Sequence, residues 1–545
     1  MQIIIPMTGS GQRFIDGGYK TPKPLIEVDG KPIIEHVVNL FPDEENFIFI
    51  CNSKHLKETN MKEVLNRIAP KGKIVEIPPH KLGPVYAVYQ IKDLIDDNDE
   101  VIVNYCDFSV YWDYKDFLSH TRKRNAQGAI PSYKGFHPHM LGKINYAFMR
   151  DDKQWMLEIR EKEPFTDNRM NEYASDGTYY FQKGEYVKKY FKSLMDKNIN
   201  TKGEFYVSMV YNLMVQDNLK VSIYEIQHMQ QWGTPGELEE YVEWSNYFKS
   251  LTTYKKPNKI YDAIKLIPLA GRGQRFADAG YKTPKPLLDI SGKPMIIQAA
   301  EALPDCSENI FVALKEHLEK YPLKDAILNE YKNAKIIPLD KVTEGQAQTC
   351  EFGLKGEDLN KPLFIGACDN SLIIDYDKLD KEIENADVLS FSFQNNPITA
   401  KNPNAYGFLV VDDNNFIKDV SVKIPISNNP IKDNAITGAF YFKSVRIFLE
   451  CLQYLYKNNI RVNNEFYADS CVLAAAKLGY CTKAFVVDKY ICFGTPDDYK
   501  TFISYQSLFH KLSYHPYKLQ KDPNVNKEKI EKLDCEFRAF KQENN

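Results

Sequence analysis

A short segment near the N-terminus combines glycines with positively charged side chains. The segment TGSGQRF (Thr8–Phe14) contains Gly9, Gly11 and Arg13, and Lys23 lies ten residues beyond Arg13, between two prolines. Glycines after a strand let backbone N–H groups approach an anion, and the flanking prolines favour a stiff, extended backbone at the lysine. The combination predicts a triphosphate pocket, although neither a P-loop nor a complete dinucleotide fingerprint is present.

The same residue types recur 262 positions later in the chain. The octapeptide GYKTPKPL is identical at Gly18–Leu25 and Gly280–Leu287, and 16 of the 23 positions from Gln12 to Ile34 match those from Gln274 to Ile296. The second copies of the glycines and cations are Gly271, Gly273, Arg275 and Lys285. A lone lysine is usually only a solvated side chain, but chance does not explain an identical octapeptide.

The repeat extends over some 230 residues, which indicates duplication of a whole domain. After the loss of one residue the offset becomes 261, and it then pairs EFY at Glu204 with EFY at Glu465 and WGTP at Trp232 with FGTP at Phe493. We therefore expect a first domain at 1–250, a linker at 251–262, a second domain at 263–505 and a helical tail at 506–545. In the tail Ile530, Leu533, Phe537 and Phe540 recur at helical spacing, which predicts a docked helix.

Short apolar runs such as QIIIPM, NFIFIC, KIVEIP and VIVNYCD alternate with segments of helical length in each copy. This alternation predicts an α/β fold with a mainly parallel, mixed sheet. Ligands of such sheets bind beyond the carboxyl ends of the strands. The glycine loop follows the first run, and Asp107 and its counterpart Asp369 follow later runs, so we expect both features at one edge of each sheet.

The overall composition of the 545 residues argues against several classes of partner. The net charge is −3, which gives no indication of nucleic-acid binding. The ten cysteines form no CxxC pair, which favours free thiols in a reducing cytoplasm. The first residues lack a basic leader and no apolar segment is long enough to span a bilayer, so we expect a cytoplasmic location and no membrane partner.

The pattern G-x-G-x-R-F…P-K-P-L…G-K-P, with EKEP, DGTYYF and WGTP further on, resembles the sugar-phosphate nucleotidylyltransferases. The resemblance covers both copies and implies two tandem GT-A-like, Rossmann-type domains. Such domains condense an NTP with a sugar-phosphate or polyol-phosphate and release pyrophosphate. The implied use is nucleotide-sugar synthesis for surface polysaccharide, with Mg²⁺ as the cofactor.

The resemblance also assigns roles to individual residues of each copy. Triphosphate binding and catalysis fall to Arg13, Lys23, Arg275 and Lys285. The nucleotide pocket is shaped by Gly9, Gly11, Gly83, Gly271, Gly273 and Gly345. The acceptor is bound by Glu161, Lys162, Gly177, Lys423 and Gly438, and the metal by Asp107 and Asp369.

Two departures from the family pattern bear on these roles. A second metal-binding aspartate is commonly found two residues before the glycine of GTP, where this chain has Gln231 and Cys492. Either Asp107 or Asp369 then holds the metal with the nucleotide, or another carboxylate substitutes. Glu161 has the apolar counterpart Val422, which predicts a different or smaller acceptor for the second copy.

A loop that occurs only in the first copy contains His137 and His139. Its place in the repeat is where acceptor contacts would fall. We favour a surface loop or a substrate contact for these histidines over metal binding.

Two alternatives to a tandem nucleotidylyltransferase stay open. A GT-A glycosyltransferase would share the fold, although it would normally show Asp-x-Asp where this chain has DFS and DNS. In the other alternative one copy is a silent regulatory or structural repeat, although both copies keep the arginine, the lysines and the aspartate. The expected association state is either an oligomer or a pseudo-dimer within one chain.

Overall fold

The computed structural model describes residues 1–539, and contacts within it divide the chain into two compact units. Unit 1 comprises residues 1–245 with 512–515, and unit 2 comprises 246–511 with 516–539. The domain boundaries expected from the repeat stay a prediction. Among the described residues, no helix combines the length and apolar character that crossing a membrane requires. All ten cysteines are free thiols.

Unit 1 contains fourteen strands, several of which are the apolar runs of the sequence. They are β1 (Gln2–Met7), β2 (Glu27–Val28), β3 (Lys31–Pro32), β4 (Phe47–Asn52), β5 (Lys73–Ile77), β6 (Val101–Asn104), β7 (Phe108–Tyr111), β8 (Gly128–Tyr133), β9 (Ala147–Asp152), β10 (Trp155–Glu161), β11 (Tyr173–Ser175), β12 (Thr178–Phe181), β13 (Val221–Glu225) and β14 (His228–Gln231).

Nine α-helices alternate with these strands along the described chain of unit 1. They are α1 (Gln12–Asp16), α2 (Ile33–Val38), α3 (Ser53–Glu58), α4 (Met61–Ile68), α5 (Pro84–Gln90), α6 (Tyr114–Lys123), α7 (Gly184–Asp196), α8 (Val210–Gln216) and α9 (Pro235–Leu251), the last of which continues into unit 2. In α7 the buried residues Val187, Tyr190, Phe191 and Leu194 follow the helical period, so one face of that helix covers the core.

The large sheet of unit 1 has the order β11-β9-β10-β13-β8-β12-β6-β1-β4-β5. The strands β6, β1, β4 and β5 are parallel to one another, whereas most pairings on the other side are antiparallel. The α/β fold with a mixed sheet is therefore confirmed. Because β1 and β6 are parallel neighbours, the loops that follow them lie side by side at one sheet edge.

Unit 2 repeats this arrangement of strands. Its strands are β15 (Ile260–Leu269), β16 (Asp289–Ile290), β17 (Lys293–Pro294), β18 (Asp305–Leu314), β19 (Lys335–Leu339), β20 (Leu363–Ile365), β21 (Asn370–Ile373), β22 (Val388–Phe393), β23 (Gly407–Val411), β24 (Ile417–Val422), β25 (Asn434–Phe442), β26 (Thr482–Val486) and β27 (Lys489–Cys492). The main path of its sheet is β19-β18-β15-β20-β25-β22-β26, with β23 and β24 attached to β25.

The helices of unit 2 cover both faces of its sheet. They are α10 (Gln274–Asp278), α11 (Met295–Glu301), α12 (Lys315–Lys320), α13 (Leu323–Glu330), α14 (Gln346–Gly353), α15 (Tyr376–Asn385), α16 (Ile398–Lys401), α17 (Val445–Asn458), α18 (Ala468–Lys477), α19 (Pro496–Lys511) and α20 (Ile530–Arg538). In α20 Leu533 and Phe537 pack on Leu519 and Val525, so the described part of the tail is a docked helix. Phe540 lies outside the described residues.

Candidate functional site

The glycine loop and Lys23 lie at the carboxyl end of β1. Gly11 has a left-handed backbone (φ 67°) and precedes α1, which carries Arg13 on its exposed side. The flanking prolines predicted an extended backbone at Lys23, and this prediction is wrong. Pro22 is extended, and Lys23 begins a 3-10 turn, Lys23–Leu25, because the Leu25 amide N–H donates to the Pro22 carbonyl at 2.8 Å. The turn directs the lysine across the sheet edge.

Lys23 forms an ion pair with Asp107, the residue predicted to bind the metal. The Lys23 Nζ lies 2.8 Å from Asp107 Oδ2, and the two side chains are 21% and 24% exposed. Burial alone would lower the pKa of Lys23, but the adjacent Asp107 carboxylate raises it above the usual lysine range. The structure thus brings the predicted triphosphate cation and the predicted metal ligand into direct contact.

Unit 2 contains the same pair. Lys285 forms an ion pair with Asp369, and the pKa of Lys285 is likewise raised by that carboxylate against the opposing effect of burial. Gly273 has φ 65°, and a Cβ on Gly273 would lie 3.3 Å from the Lys285 Cβ. Arg275 lies on the exposed side of α10.

The glycine at the start of α5 connects two motifs that lie far apart in the sequence. A Cβ on Gly83 would lie 2.7 Å from both the backbone N and the backbone O of Phe205, within EFY. Gly345 meets Phe466 in the same way, at 2.6 Å and 2.5 Å. Both glycines also have positive φ, of 86° and 128°, so no other residue type fits without strain.

The predicted acceptor residues of unit 1 lie at the end of β10. The Lys162 Nζ donates to the Tyr206 hydroxyl at 2.5 Å, and Tyr206 in turn donates to Glu204. The Ser208 hydroxyl donates to Glu161 at 2.6 Å. Burial raises the pKa of Glu161 and lowers that of Lys162, because each charged form is partly removed from water.

The turn before β12 places Asp176 and Gly177 near Lys162. Gly177 (φ 103°) accepts a hydrogen bond from the Tyr105 amide at 3.1 Å, and a Cβ there would lie 2.9 Å from the Phe108 ring. Asp176 is buried, and burial raises the pKa of its carboxyl well above the usual range. In unit 2 Gly438 has φ 82°, and Thr437 stands in the place of Asp176.

The strand pair β7–β14 brings the GTP motif to Asp107. The Trp232 amide donates to the Asp107 carbonyl at 2.9 Å, and a Cβ on Gly233 would lie 3.3 Å from Asp107 Oδ2 and 2.8 Å from Gln231 Nε2. The Glu237 carboxyl is close enough that Asp107 contributes, after burial, to raising its pKa. In unit 2 the equivalent carboxylate, Asp498, accepts hydrogen bonds from Thr495 at 2.7 Å and from the Cys492 thiol at 3.5 Å.

These donors are compatible with Mg²⁺. Within the described part of the chain, no three His, Cys, Asp or Glu side chains form a set that could hold a metal ion by themselves. Mg²⁺ needs only one or two carboxylates when phosphate oxygens and water complete its shell. Asp107 and Asp369, each beside a glycine that leaves space open, are suited to provide one such carboxylate in each unit.

In unit 1 the predicted residues converge on two adjoining cavities. The larger has a volume of about 380 Å³ and the smaller about 230 Å³. Lining one or both are the predicted residues Gly9, Gly11, Arg13, Lys23, Gly83, Asp107, Glu161, Lys162 and Gly177. We call these two cavities together the unit 1 cleft. Asp107 and Lys23 border both cavities, whereas Lys162 borders only the larger one.

The histidine loop does not contact this cleft, so the expected surface or substrate role is wrong. His137 and His139 are 4% and 9% exposed, and their rings pack against Tyr133 at centroid distances of 4.7 Å and 5.1 Å. Burial lowers the pKa of His137 to about 4. The alternation of histidine and proline suggested a loop, but the aromatic residues around it enclose the side chains.

Several site residues escaped prediction from the sequence. Their signals were present but weak, because each lies within a motif that was recognised without being assigned a role. They are Asp176 in DGTYYF, Glu204 and Tyr206 in EFY, Ser208 two positions later, and Glu237 and Asp498 just after GTP. Asp176, Glu204 and Tyr206 line the unit 1 cleft, whereas Ser208 and Glu237 do not.

A family model described as nucleotidyl transferase matches residues 2–249. This match covers less than half of the 545-residue chain. The chain resembles the bifunctional protein GlmU of Campylobacter fetus, at 26% identity over 248 residues, 45% of this chain and 54% of that protein. GlmU of Methanocaldococcus jannaschii is 28% identical over 204 residues, which are 37% of this chain and 44% of that protein. The chain spans about half the length of the curated relatives it matches.

Solved structures also resemble part of this chain. A nucleoside-diphosphate-sugar pyrophosphorylase from Vibrio cholerae RC9 is 22% identical, with a TM-score of 0.37 over 43% of this chain and 97% of that one. The inositol-1-phosphate CTP transferase of T. maritima is 14% identical, with a TM-score of 0.35, and the match covers 43% of this chain and 90% of that one.

Proposed function

We propose that each unit condenses an NTP with a sugar-phosphate or polyol-phosphate and releases pyrophosphate. The observation that carries this proposal is the Lys23–Asp107 ion pair in a cleft that also contains Lys162. In the cleft, Lys23 lies beside a carboxylate suited to a metal, and Lys162 lies apart from that pair, next to Glu161. The repetition of the first pair as Lys285–Asp369 supports a second active site in unit 2.

The proposed reaction requires two anions to be positioned and their charge neutralised. The attacking oxygen belongs to a phosphomonoester whose second pKa is about 6, so it is already anionic at neutral pH and needs no general base. Arg13 and Lys23 would bind the triphosphate, and Lys162 would bind the acceptor phosphate. Such positioning supplies most of the catalysis in phosphoryl-group chemistry.

In this proposal Asp107 and Asp369 would hold Mg²⁺ together with the nucleotide. When bound, the ion would offset the negative charge of the triphosphate. Gln231 and Cys492 lie beside these aspartates as neutral groups, so the protein contributes little negative charge to either metal site. Glu237 and Asp498 are the nearby carboxylates that could hydrogen-bond to water around the ion.

The products would be activated sugars or polyols for surface polysaccharide, made in the cytoplasm where NTPs are abundant. Because Glu161 is replaced by Val422, the two units would take different acceptors. One chain would then carry two active sites, the equivalent of a dimer of single-domain enzymes.

A pyrophosphate-release assay across the four NTPs and a panel of sugar- and polyol-phosphates tests the proposal. Asp107→Ala and Asp369→Ala should each reduce the reaction of their own unit, by on the order of 10² to 10³. The exposed Asp413 provides the control substitution, Asp413→Ala, which should change neither reaction. If no pair of NTP and acceptor released pyrophosphate, while an NDP-sugar donor was consumed, the protein would be a glycosyltransferase. If Asp369→Ala changed no reaction, unit 2 would be a silent repeat.

A further inference from the structure

The two acceptor lysines lie in the same backbone geometry. Lys162 and Lys423 have φ values of 59° and 62°, which non-glycine residues seldom adopt. Their amides donate to the carbonyls of Tyr146 and Tyr406, at 3.0 Å in both units. The surroundings of the two lysines can therefore be compared position by position.

In unit 1 a carboxylate reaches the lysine from the neighbouring strand position. Glu161 pairs in register with Ala147 across β10 and β9. Its carboxylate is 6% exposed and accepts a hydrogen bond from the small side chain of Ser208 at 2.6 Å. The Glu161 Oε1 lies 4.0 Å from the Lys162 Nζ.

Unit 2 has different residues at all three of these positions. Val422 replaces Glu161, and its partner in register is Gly407, which replaces Ala147. Asp469 replaces Ser208 at the start of α18. A Cβ on Gly407 would lie 2.5 Å from Asp469 Oδ2, so this carboxylate occupies the space that an alanine side chain would need.

The correspondence of Ser208 and Asp469 rests on backbone contacts as well as on the repeat. The Phe205 amide donates to the Leu82 carbonyl, and the Phe205 carbonyl accepts from the Val85 amide. Phe466 makes the matching pair of bonds with Glu344 and Ala347. Ser208 and Asp469 follow these anchors by three residues. The three differences therefore act together: a carboxylate is lost from the strand, gained on the helix, and accommodated by a glycine.

Asp469 has unused capacity to accept hydrogen bonds. No side chain within residues 1–539 donates a hydrogen bond to its carboxylate, whereas Glu161 accepts one from Ser208. Its interaction with a charged side chain is the electrostatic one with Lys423. Removing a carboxylate from water costs free energy unless a hydrogen-bond donor or a cation pairs with it.

We propose that Asp469 is the acceptor-recognising carboxylate of unit 2, and that unit 2 takes a phosphate ester bearing a hydroxyl group. The inference rests on the proposed function, in which Lys423 binds the phosphate of that ester. It makes more specific the expectation, drawn from Val422, that unit 2 takes a different or smaller acceptor. Because the carboxylate comes from the helix and not from the strand, the two units recognise hydroxyl groups at different positions.

Calorimetric binding to the full chain tests the role of Asp469. A Lys162→Ala background weakens phosphate binding by unit 1. The probes are glucose 1-phosphate and glycerol 3-phosphate, which carry hydroxyl groups, and methyl phosphate, which carries none. Asp469→Asn should weaken binding of at least one hydroxyl-bearing probe about tenfold or more and leave methyl phosphate unchanged within about twofold. Asp413→Asn is the matched control.

Each other result counts against a stated part of the proposal. An unchanged affinity for both hydroxyl-bearing probes, or an equal loss for methyl phosphate, would show that Asp469 does not recognise a hydroxyl group. Lys423→Ala should weaken all three probes. If it weakened none of them, or if no probe bound, the proposed function of unit 2 would fail and the role of Asp469 with it.

A second set of variants tests the coupling of the three positions. Gly407→Ala alone should lower the unfolding midpoint, and Asp469→Ser should restore it in the double variant. The triple variant Gly407→Ala/Val422→Glu/Asp469→Ser reproduces the residues of unit 1. It should shift the acceptor preference of unit 2, seen in KM more than in kcat, toward that of unit 1. If Asp469→Ser did not restore the unfolding midpoint of Gly407→Ala, and the effects of the two substitutions simply added, the proposed exchange would be overturned.

Discussion

Lys23 and Asp107 are joined by an ion pair of 2.8 Å, although they lie 84 residues apart in the chain. Lys285 and Asp369 repeat the pair at the same separation of 84 residues. The proposed triphosphate cation and the proposed metal ligand are thus held together by the fold, through the adjacent carboxyl ends of β1 and β6.

Replacing Lys23 should impair catalysis far more than folding. Lys23→Met removes a cation held at the cleft, and we expect a loss in rate on the order of 10² to 10³ for the unit 1 reaction. Lys20→Met is the matched control, because Lys20 lies in the same octapeptide and is exposed. Pyrophosphate release measures both variants. Equal rates for the two variants would refute a role of Lys23 in triphosphate binding.

A carboxylate at position 231 should strengthen metal binding in unit 1. Gln231→Asp places a second negative group beside Asp107, where Gln231 Nε2 and Asp107 Oδ2 both lie around Gly233. We expect Mn²⁺ affinity, followed by electron paramagnetic resonance, to rise about tenfold. The exposed Gln216 supplies the control, Gln216→Asp. Unchanged affinity would place the metal away from Asp107.

The contact between Gly83 and Phe205 should be structurally essential. Gly83→Ala combines an unfavourable positive φ with a Cβ that would lie 2.7 Å from backbone atoms of Phe205, and should lower the free energy of unfolding by about 2–5 kcal/mol. Gly203→Ala has nearly the same φ, 83°, but meets no atom within 4 Å, and should cost only about 1–2 kcal/mol. Urea denaturation compares the two, and equal losses would contradict the close approach.

Asp469 should make the stability of unit 2 depend on pH. Burial raises the pKa of its carboxyl from 3.8 to about 6. The folded state therefore binds more protons than the unfolded state between these values, so this group lowers stability as pH rises from about 4 to 6, by up to about 3 kcal/mol. Asp469→Asn should remove that decline and be the more stable protein at pH 7. Denaturation at pH 4.5 and pH 7 tests this, and parallel curves for both proteins would contradict it.

The repeated motifs made much of the candidate site predictable. Arg13, Lys23 and Asp107 stand at fixed distances from apolar runs, and those runs are strands whose carboxyl ends adjoin. By contrast, His137 was misjudged because a local pattern of histidine and proline does not report which aromatic rings enclose it. Asp469 was not recognised because it lies 46 residues after Lys423, and nothing local relates the two.

The repeated motifs and the apolar spacing predict a duplication, the α/β alternation and the types of residue available for phosphate chemistry, because these are local properties of a chain. The folded arrangement of the chain sets which residues touch: Lys23 with Asp107, Gly83 with Phe205, and Gly407 with Asp469. Such contacts join elements distant in sequence. They depend on strand order and register, which no single segment contains, and on the space that one missing Cβ leaves for another side chain.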